Sequence, residues 1–330
     1  MARVFNTEDF ALMITPEPSR AEYTVPSSDD FYPLITSSFG VPQPEDQSEK
    51  QALPNTFNRT ADRTAEGSVE VNSITIDSLL YNGQLLAYVF GSESYDDTND
   101  IHTLTFDDEN PPKTYTMNLV GRRSNDPNMK RVSIGSVPES ATLEIPSEDE
   151  QELSLSIDWT AHNSTNQKSG IDYSSIGTAP ASNDVDVYTR SDLTTSLNYN
   201  SRTIGELQSA TFEFDNNVST YFSSNSDDNL PEPRQPTKVN LGTVSINGTV
   251  TTLLDNVSLF DDVRQSSQNF TLNVKAEKSD GYIDMTLTGG EVTQAEEVPD
   301  TEDAVETDIE MIFADGTIEI EDQNSTSSYL

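Results

Sequence analysis

The chain has 330 residues, with 18 Lys and Arg against 57 Asp and Glu and a formal net charge of −39. So acidic a surface excludes the usual electrostatic mode of nucleic-acid binding, which needs a basic footprint. Cysteine is absent, which excludes disulfides and thiolate metal sites, and no apolar run reaches the roughly 18 residues of a membrane-spanning helix.

Length alone sets a prior of about two domains. The hydrophobic content is lean at 33%, and like charges at this density repel one another in the compact state. Molar salt relieves that repulsion by shortening the Debye length to about 3 Å, so the composition points to a salt-accumulating halophile or one of its viruses. Low hydrophobicity with high charge is also the signature of disorder, but ordered alternation over many segments speaks against it for the middle of the chain. Met1-Ala2-Arg3 leads into Asn6, Glu8 and Asp9 with no apolar core, so no signal peptide and no export are expected.

Residues 1–66 are rich in Pro, Ser and acid. Pro16, Pro18, Pro26, Pro33, Pro42, Pro44 and Pro54 forbid long helices and central strands. The scattered aromatics (Phe5, Phe10, Tyr23, Phe31, Tyr32, Phe39) describe an extended arm that docks on something, such as a neighbouring subunit. From Ser68 a strand through Val69, Val71, Ile74 and Ile76 is expected. Asp77-Ser78 would then cap a helix running to Phe90, stopped by Gly91. Ser92 to Asp100 reads as an acidic loop.

His102 to Val120 alternates with a period of two on both sides of Pro111-Pro112: Leu104 and Phe106 on one arm, Tyr115, Met117 and Leu119 on the other. The expectation is an antiparallel hairpin. Arg122, Arg123, Lys130 and Arg131 form the basic cluster, read as a salt-bridge patch within the chain or between rings. Strands are expected at Val132–Ile134, Ala141–Ile145 and Leu153–Thr160, with Leu153, Leu155, Ile157 and Trp159 on one face.

Asn163 to Asn183 reads as a loop and domain boundary. Beyond it strands are expected at Val185–Tyr188, Leu193–Tyr199 and Ala210–Phe214, and Ser223 to Lys238 is a second loop. Val239 to Val250 reads as a hairpin or bent strand around Asn247-Gly248, and Leu253 to Phe260 as one short helix. Phe270–Ala276 and Tyr282–Leu287 form a hairpin about Asp280-Gly281. The acidic stretch Glu291–Glu306 then leads to a last hairpin, Ile309–Phe313 and Thr317–Ile320, turned at Asp315-Gly316. Two short similarities hint at duplication: Ser140–Ile145 with Ser209–Phe214, and Tyr115–Val120 with Phe270–Lys275. The fold class is therefore all-β with one or two short helices. The division is an arm (1–66), a first β unit (67–180) and a second (181–330) with the acidic hairpin.

No constellation for catalysis emerges. A triad or imidazole metal site would have to use His102 or His162, and neither has a supporting motif. The acid runs Glu148-Asp149-Glu150, Asp96-Asp97, Asp227-Asp228 and Glu296-Glu297 lack the spacing of a calcium loop and read as a solvated face. No catalytic, cofactor-binding or metal-ligating residue is assigned, and no cofactor.

The order of segments resembles the tail tube proteins of long-tailed viruses of bacteria and archaea. The resemblance is carried by Ser68–Gly91, His102–Phe106, Pro112–Met117, Ile134-Gly135, Ala141–Ile145, Leu153–Trp159, Thr194–Tyr199, Ile204–Asn217, Asn247-Gly248 and the strands up to Gly289, over residues 60–290. With the composition, it points to a tailed virus of a haloarchaeon. It implies tandem β-sandwich or half-barrel tube domains that close into a ring between subunits, with rings stacked into a tube that passes viral DNA without binding it. It further implies self-association as hexamers or as pseudo-hexameric trimers, the latter favoured by a duplication. Tape measure, terminator and baseplate proteins are the implied partners, and membranes are not. Assembly in the host cytoplasm, a place in the virion tail and no enzymatic activity complete the expectation. The alternative is a cell-surface or adhesive β-sandwich module of a halophile.

Overall fold

The structure, a computed structural model, describes residues 10–18, 24, 34–35, 40–46, 49–51, 63–65, 69–106, 112–121, 130–165, 186–199, 202–221, 238–254, 270–279, 281–299, 305–322 and 328–330. The chain begins with β1 (Phe10–Pro16), β2 (Leu34–Ile35), β3 (Gln43–Asp46), β4 (Glu49–Gln51), β5 (Arg63–Ala65), β6 (Val69–Asn72) and β7 (Ile74–Leu79), followed by helix α1 (Gln84–Phe90). Next come β8 (Gly91–Asp96), β9 (Ile101–Phe106), β10 (Tyr115–Gly121), β11 (Lys130–Ile145), β12 (Ser154–Thr165), β13 (Leu193–Tyr199) and β14 (Arg202–Asp215). The remainder is β15 (Ser219–Tyr221), β16 (Lys238–Asn240), β17 (Ser245–Leu254), β18 (Phe270–Lys278), β19 (Gly281–Pro299), β20 (Val305–Phe313) and β21 (Asp315–Asp322).

The all-β class read from the alternation is the observed one. Fifteen strands join one antiparallel sheet in the order β2-β7-β12-β11-β14-β13-β18-β19-β21-β9-β8, with β1 and β10 added to β11. Strand β17 joins β14 to β20, and β20 returns to β19, so β14-β13-β18-β19-β20-β17 closes into a small barrel. Period-two patterning sends Ile76, Leu143, Leu155, Ile157, Trp159, Phe212, Phe214, Val250 and Ile309 to one buried side. Helix α1 is buried along Leu85–Phe90 and fills the space behind that side. The Phe90 ring centroid lies 3.8 Å from that of Phe106 and 5.3 Å from that of Phe214.

The hexapeptides Ser140–Ile145 and Ser209–Phe214 turn out to be partners. Strands β11 and β14 pair along them with Ala141 opposite Phe214, Leu143 opposite Phe212 and Ile145 opposite Ala210. Positions that match in the two hexapeptides are exchanged by a local twofold passing between Leu143 and Phe212. The flanking strands obey the same axis. Ala141 pairs with Ile157 of β12 as Ala210 pairs with Val250 of β17, and Ile157 pairs with Ile76 of β7 as Val250 pairs with Ile309 of β20. Bulges fall at matched places, between Pro138 and Ser140 and between Leu207 and Ser209. The halves β7-β12-β11-β10-β1 and β20-β17-β14-β13-β18 thus share one plan. The other similarity, Tyr115–Val120 with Phe270–Lys275, is no part of this repeat, because β10 corresponds to β13 and not to β18.

Several expected elements differ. The hairpin across Pro111-Pro112 does not form: β9 is flanked by β8 and β21, and β10 by β1 and β11, so neither has an edge left for the other. Of the acidic loop expected over Ser92 to Asp100, the part up to Asp96 is strand β8, and Asp97 to Asp100 form a turn. Asp77-Ser78 lies inside β7, where the β-branched run Ile74-Thr75-Ile76 favours strand. The helix starts only after Gly83 and stops at Gly91 as expected, with φ +76° and its N–H donated to the Ala87 carbonyl.

Asn247-Gly248 is mid-strand in β17. A side chain at 248 would press on the rings of Phe212 and Phe313, so glycine is there for room rather than for a turn. Leu253-Leu254 also belong to β17, and the rest of the helix expected to Phe260 lies outside the described residues. Asp315-Gly316 is no turn either: β20 and β21 run on along β19, and the chain reverses between Pro299 and Val305. The described parts of the stretch expected as a linker, 291–299 and 305–306, therefore belong to strands β19 and β20.

The described parts of the proline-rich start pair within the chain, β1 on β10, β2 on β7 and β3 on β6. Glu17 fixes the end of β1. Its buried carboxylate accepts hydrogen bonds from Thr114 Oγ1 (2.6 Å), Thr116 Oγ1 (2.9 Å) and the Gly135 N–H (2.8 Å).

Candidate functional site

The same alternation that fills the core builds a broad polar face on the other side of β7, β12, β11, β14, β17 and β20. Registers place its side chains in rows across the six strands. One row beside the twofold runs Asp77, Ser156, Thr142, Glu213, Asn247 and Ile312, and the row on its other side runs Leu79, Ser154, Glu144, Thr211, Thr249 and Glu310. The next row outward on the first side holds Thr75, Asp158, Ser140, Asp215 and Ser245, and that on the second holds Ser209, Thr251 and Asp308.

No Lys or Arg occurs in these rows. Hydroxyls solvate the carboxylates along the rows. Ser156 Oγ donates to Asp77 (2.7 Å), Ser154 Oγ to Glu144 (3.3 Å), Ser140 Oγ to Asp158 (3.2 Å) and Thr251 Oγ1 to Asp308 (2.8 Å). Ile312, 48% exposed, and the half-buried Leu79 are the large apolar side chains in these rows. Toward one end the face hollows into a groove of about 550 Å³ between Glu144, Glu152, Ser154, Ser209, Thr211 and Thr251. A surface of hydroxyls and carboxylates with no cation can repel polyanions and hold water.

His102 is placed elsewhere, buried at the β8–β9 pair. Its Nδ1 lies 2.6 Å from Glu93 Oε1, and its ring lies between those of Tyr95 (4.5 Å) and Tyr329 (3.9 Å). Glu93 also accepts from Ser328 Oγ (2.6 Å) and from the N–H groups of Tyr329 (3.0 Å) and Leu330 (2.9 Å). Burial pushes the Glu93 pKa up, but the hydrogen bonds from His102, Ser328, Tyr329 and Leu330 outweigh it and leave the carboxyl below its ordinary value. The cluster ties strand β8 to the segment Ser328–Leu330, with the His102 and Glu93 side chains buried and Ser328 exposed.

His162 lies on β12, far along the chain from this cluster. Glu148-Asp149-Glu150 is an exposed turn, with the Glu148 carboxylate accepting from the Gln151 amide at 3.0 Å. Asp96 orders its own turn by accepting from the Thr98 N–H and the Asn99 amide, which lowers its pKa, the Asn99 bond foremost. Glu296 and Glu297 lie on β19, and Asp227-Asp228 lies outside the described residues. Among the described residues no group of three His, Asp or Glu side chains is arranged to hold a metal ion. Of the basic cluster, Arg131 is exposed on β11, and Arg122 and Arg123 lie outside the described residues.

Reading single strands missed the face as one surface. The signal was the hydroxyl-or-acid alternation in Ser154-Leu-Ser-Ile-Asp158 and Thr211-Phe-Glu-Phe-Asp215, but only strand order brings those segments side by side. Residues 55–321 match the family model described as phage tail tube protein. No curated protein matches the chain.

Proposed function

The chain belongs to the phage tail tube protein family, and from that premise we propose that it forms stacked rings whose six-stranded polar face lines a channel for viral DNA. Membership makes it a structural protein of the viral tail. The observation that carries the finer reading is the face itself, six strands wide, regular in its rows and free of cations. Duplex DNA carries one phosphate charge per about 1.7 Å of axis, and a wall that neutralises none of it releases no counterions and gains no binding energy from the duplex. Hydrated carboxylates and hydroxyls meet that need, whereas a Lys- or Arg-lined wall would hold the duplex.

In this reading the two β units, 67–180 and 181–330, each supply half of the lining. Their twofold relation bears on ring symmetry. A pseudo-hexameric trimer needs its two units related head to tail about the ring axis, whereas these two meet through matching edges. That relation favours the hexamer, with each chain as one step of the ring, over the pseudo-hexameric trimer. Partners are further copies of the chain and the other tail proteins, and no reaction is assigned. The net charge of −39 supports a halophilic, archaeal host, and assembly in the host cytoplasm belongs to the same reading.

Electron microscopy of the purified protein in molar and dilute salt tests the proposal. Rings or tubes in molar salt that loosen on dilution are expected. Monomers under all conditions would overturn it.

A further inference from the structure

Resting on the tube reading above, a second property follows from the twofold between Leu143 and Phe212. We propose that the channel lining is blind to direction, presenting the same charge pattern to a polyanion moving either way along the strands. A twofold that points out of a face reverses directions both along and across its strands. It exchanges Ser140 with Ser209, Thr142 with Thr211 and Glu144 with Glu213, as the β11–β14 register requires. Through the outer strands it also exchanges Asp77 with Glu310 and Leu79 with Ile312.

Carboxylate thus replaces carboxylate and apolar residue replaces apolar residue in the two inner rows. The outer rows keep the balance without the identity. Asp158 and Asp215 stand on one side, and Asp308, with Glu152 beside the groove, stands on the other. Antiparallel duplex DNA has twofolds of the same kind across its axis, so neither duplex nor wall supplies a polarity for the other to read. The consequence is equal resistance to duplex entering and leaving, and no rectification of small ions. Direction of genome movement must come from elsewhere in the particle.

The test uses tubes of the full chain sealed end-on in a synthetic pore, in the most dilute KCl at which microscopy shows them intact. Wild-type tubes should pass equal currents at opposite voltages and show equal dwell times for a short DNA duplex driven from either end. Ser140→Lys and Ser209→Lys put a cation at mated positions that lie about 20 Å apart along the strands. Each should rectify current on the order of twofold, in opposite senses, and the double variant should restore symmetry. Should either lysine block assembly, Thr142→Lys and Thr211→Lys, mates in the inner rows, read the same reversal. Wild-type rectification, or rectification of one sense in both single variants, would overturn the inference while leaving the tube intact. Absence of tubes, seen by microscopy before any current is read, would instead strike the tube reading and this one with it.

Discussion

The ring of Tyr329 lies 3.9 Å from the imidazole of His102 and only 11° from parallel to it. That stack, with the carboxylate of Glu93 at the edge of the imidazole, holds the segment Ser328–Leu330 on strand β8. The Glu93 side chain is 1% exposed, and both oxygens are committed to donors. Replacing Glu93 by Gln leaves one oxygen to serve four donors, so Glu93→Gln should lower stability at neutral pH by about 1.5–3 kcal/mol, the range for hydrogen bonds to a charged group. Urea melts of the two proteins read the difference. No loss would show that the segment is held by stacking alone.

The same carboxylate fixes a pH dependence. Its pKa is lowered in the folded chain relative to its ordinary value. The folded state therefore binds this proton less readily than the unfolded one. Its stabilisation is full above the unfolded value of about 4.3 and is lost as pH falls through the lower folded value. Melting midpoints of wild type and Glu93→Gln should differ above that window and converge below it. A gap that persists into strong acid would assign the loss to packing instead of charge.

Glu17 makes a parallel case at the other end of the chain. Removing it as Glu17→Ala takes the carboxylate acceptor from the Thr114 and Thr116 hydroxyls and from the Gly135 N–H, in a bulge where Gly135 has φ +64°. A loss of roughly 2–4 kcal/mol is expected, since each unsatisfied buried group costs about 1–3 kcal/mol and some relaxation is available. Hydrogen exchange should show the loss concentrated in β1 and β10.

How much of this was legible in the sequence follows from what alternation encodes. Period two gives a strand and its faces, so Trp159, Phe212 and the core were readable, as was the hydroxyl-rich opposite side. Partner choice is not written in period two. The arms around Pro111-Pro112 look as ready to pair with each other as with β21 and β1, and only competition for edges decides. Asn247-Gly248 and Asp315-Gly316 carry turn chemistry, yet both glycines serve packing, against the rings of Phe212 and Phe313 and against Leu287. A glycine spared for a neighbouring side chain looks the same in sequence as one spared for a turn. The repeat was visible as six residues, but its meaning came from the two copies lying opposite each other.

The two sides of β14 should answer substitution differently. Phe214 is fully buried against Phe90 and Phe106, with ring centroids 5.3 and 5.7 Å away. Phe214→Ala should cost about 3–5 kcal/mol through the cavity it leaves. Thr211→Ala, three residues earlier on the polar face, should stay within about 0.5 kcal/mol. Thermal melts of both variants check the assignment of faces, and comparable losses would refute it.

Salt dependence is the last consequence of the polar rows. Glu144 and Glu213 are diagonal neighbours across β11 and β14, about 7–8 Å apart at their β-carbons. In water such a pair repels by only about 0.5 kcal/mol, too little to matter alone. Repeated along the rows and around a ring, the sum opposes closure, and at about 0.1 M salt the Debye length of 10 Å still spans the pair. In molar salt it shrinks to about 3 Å, and the repulsion falls away. Replacing both by Gln should therefore lower the salt concentration at which tubes form, and Ser140→Glu with Ser209→Glu should raise it. Light scattering during stepwise dilution follows both. An assembly threshold that does not move would mean that the rows face open solvent and line no channel.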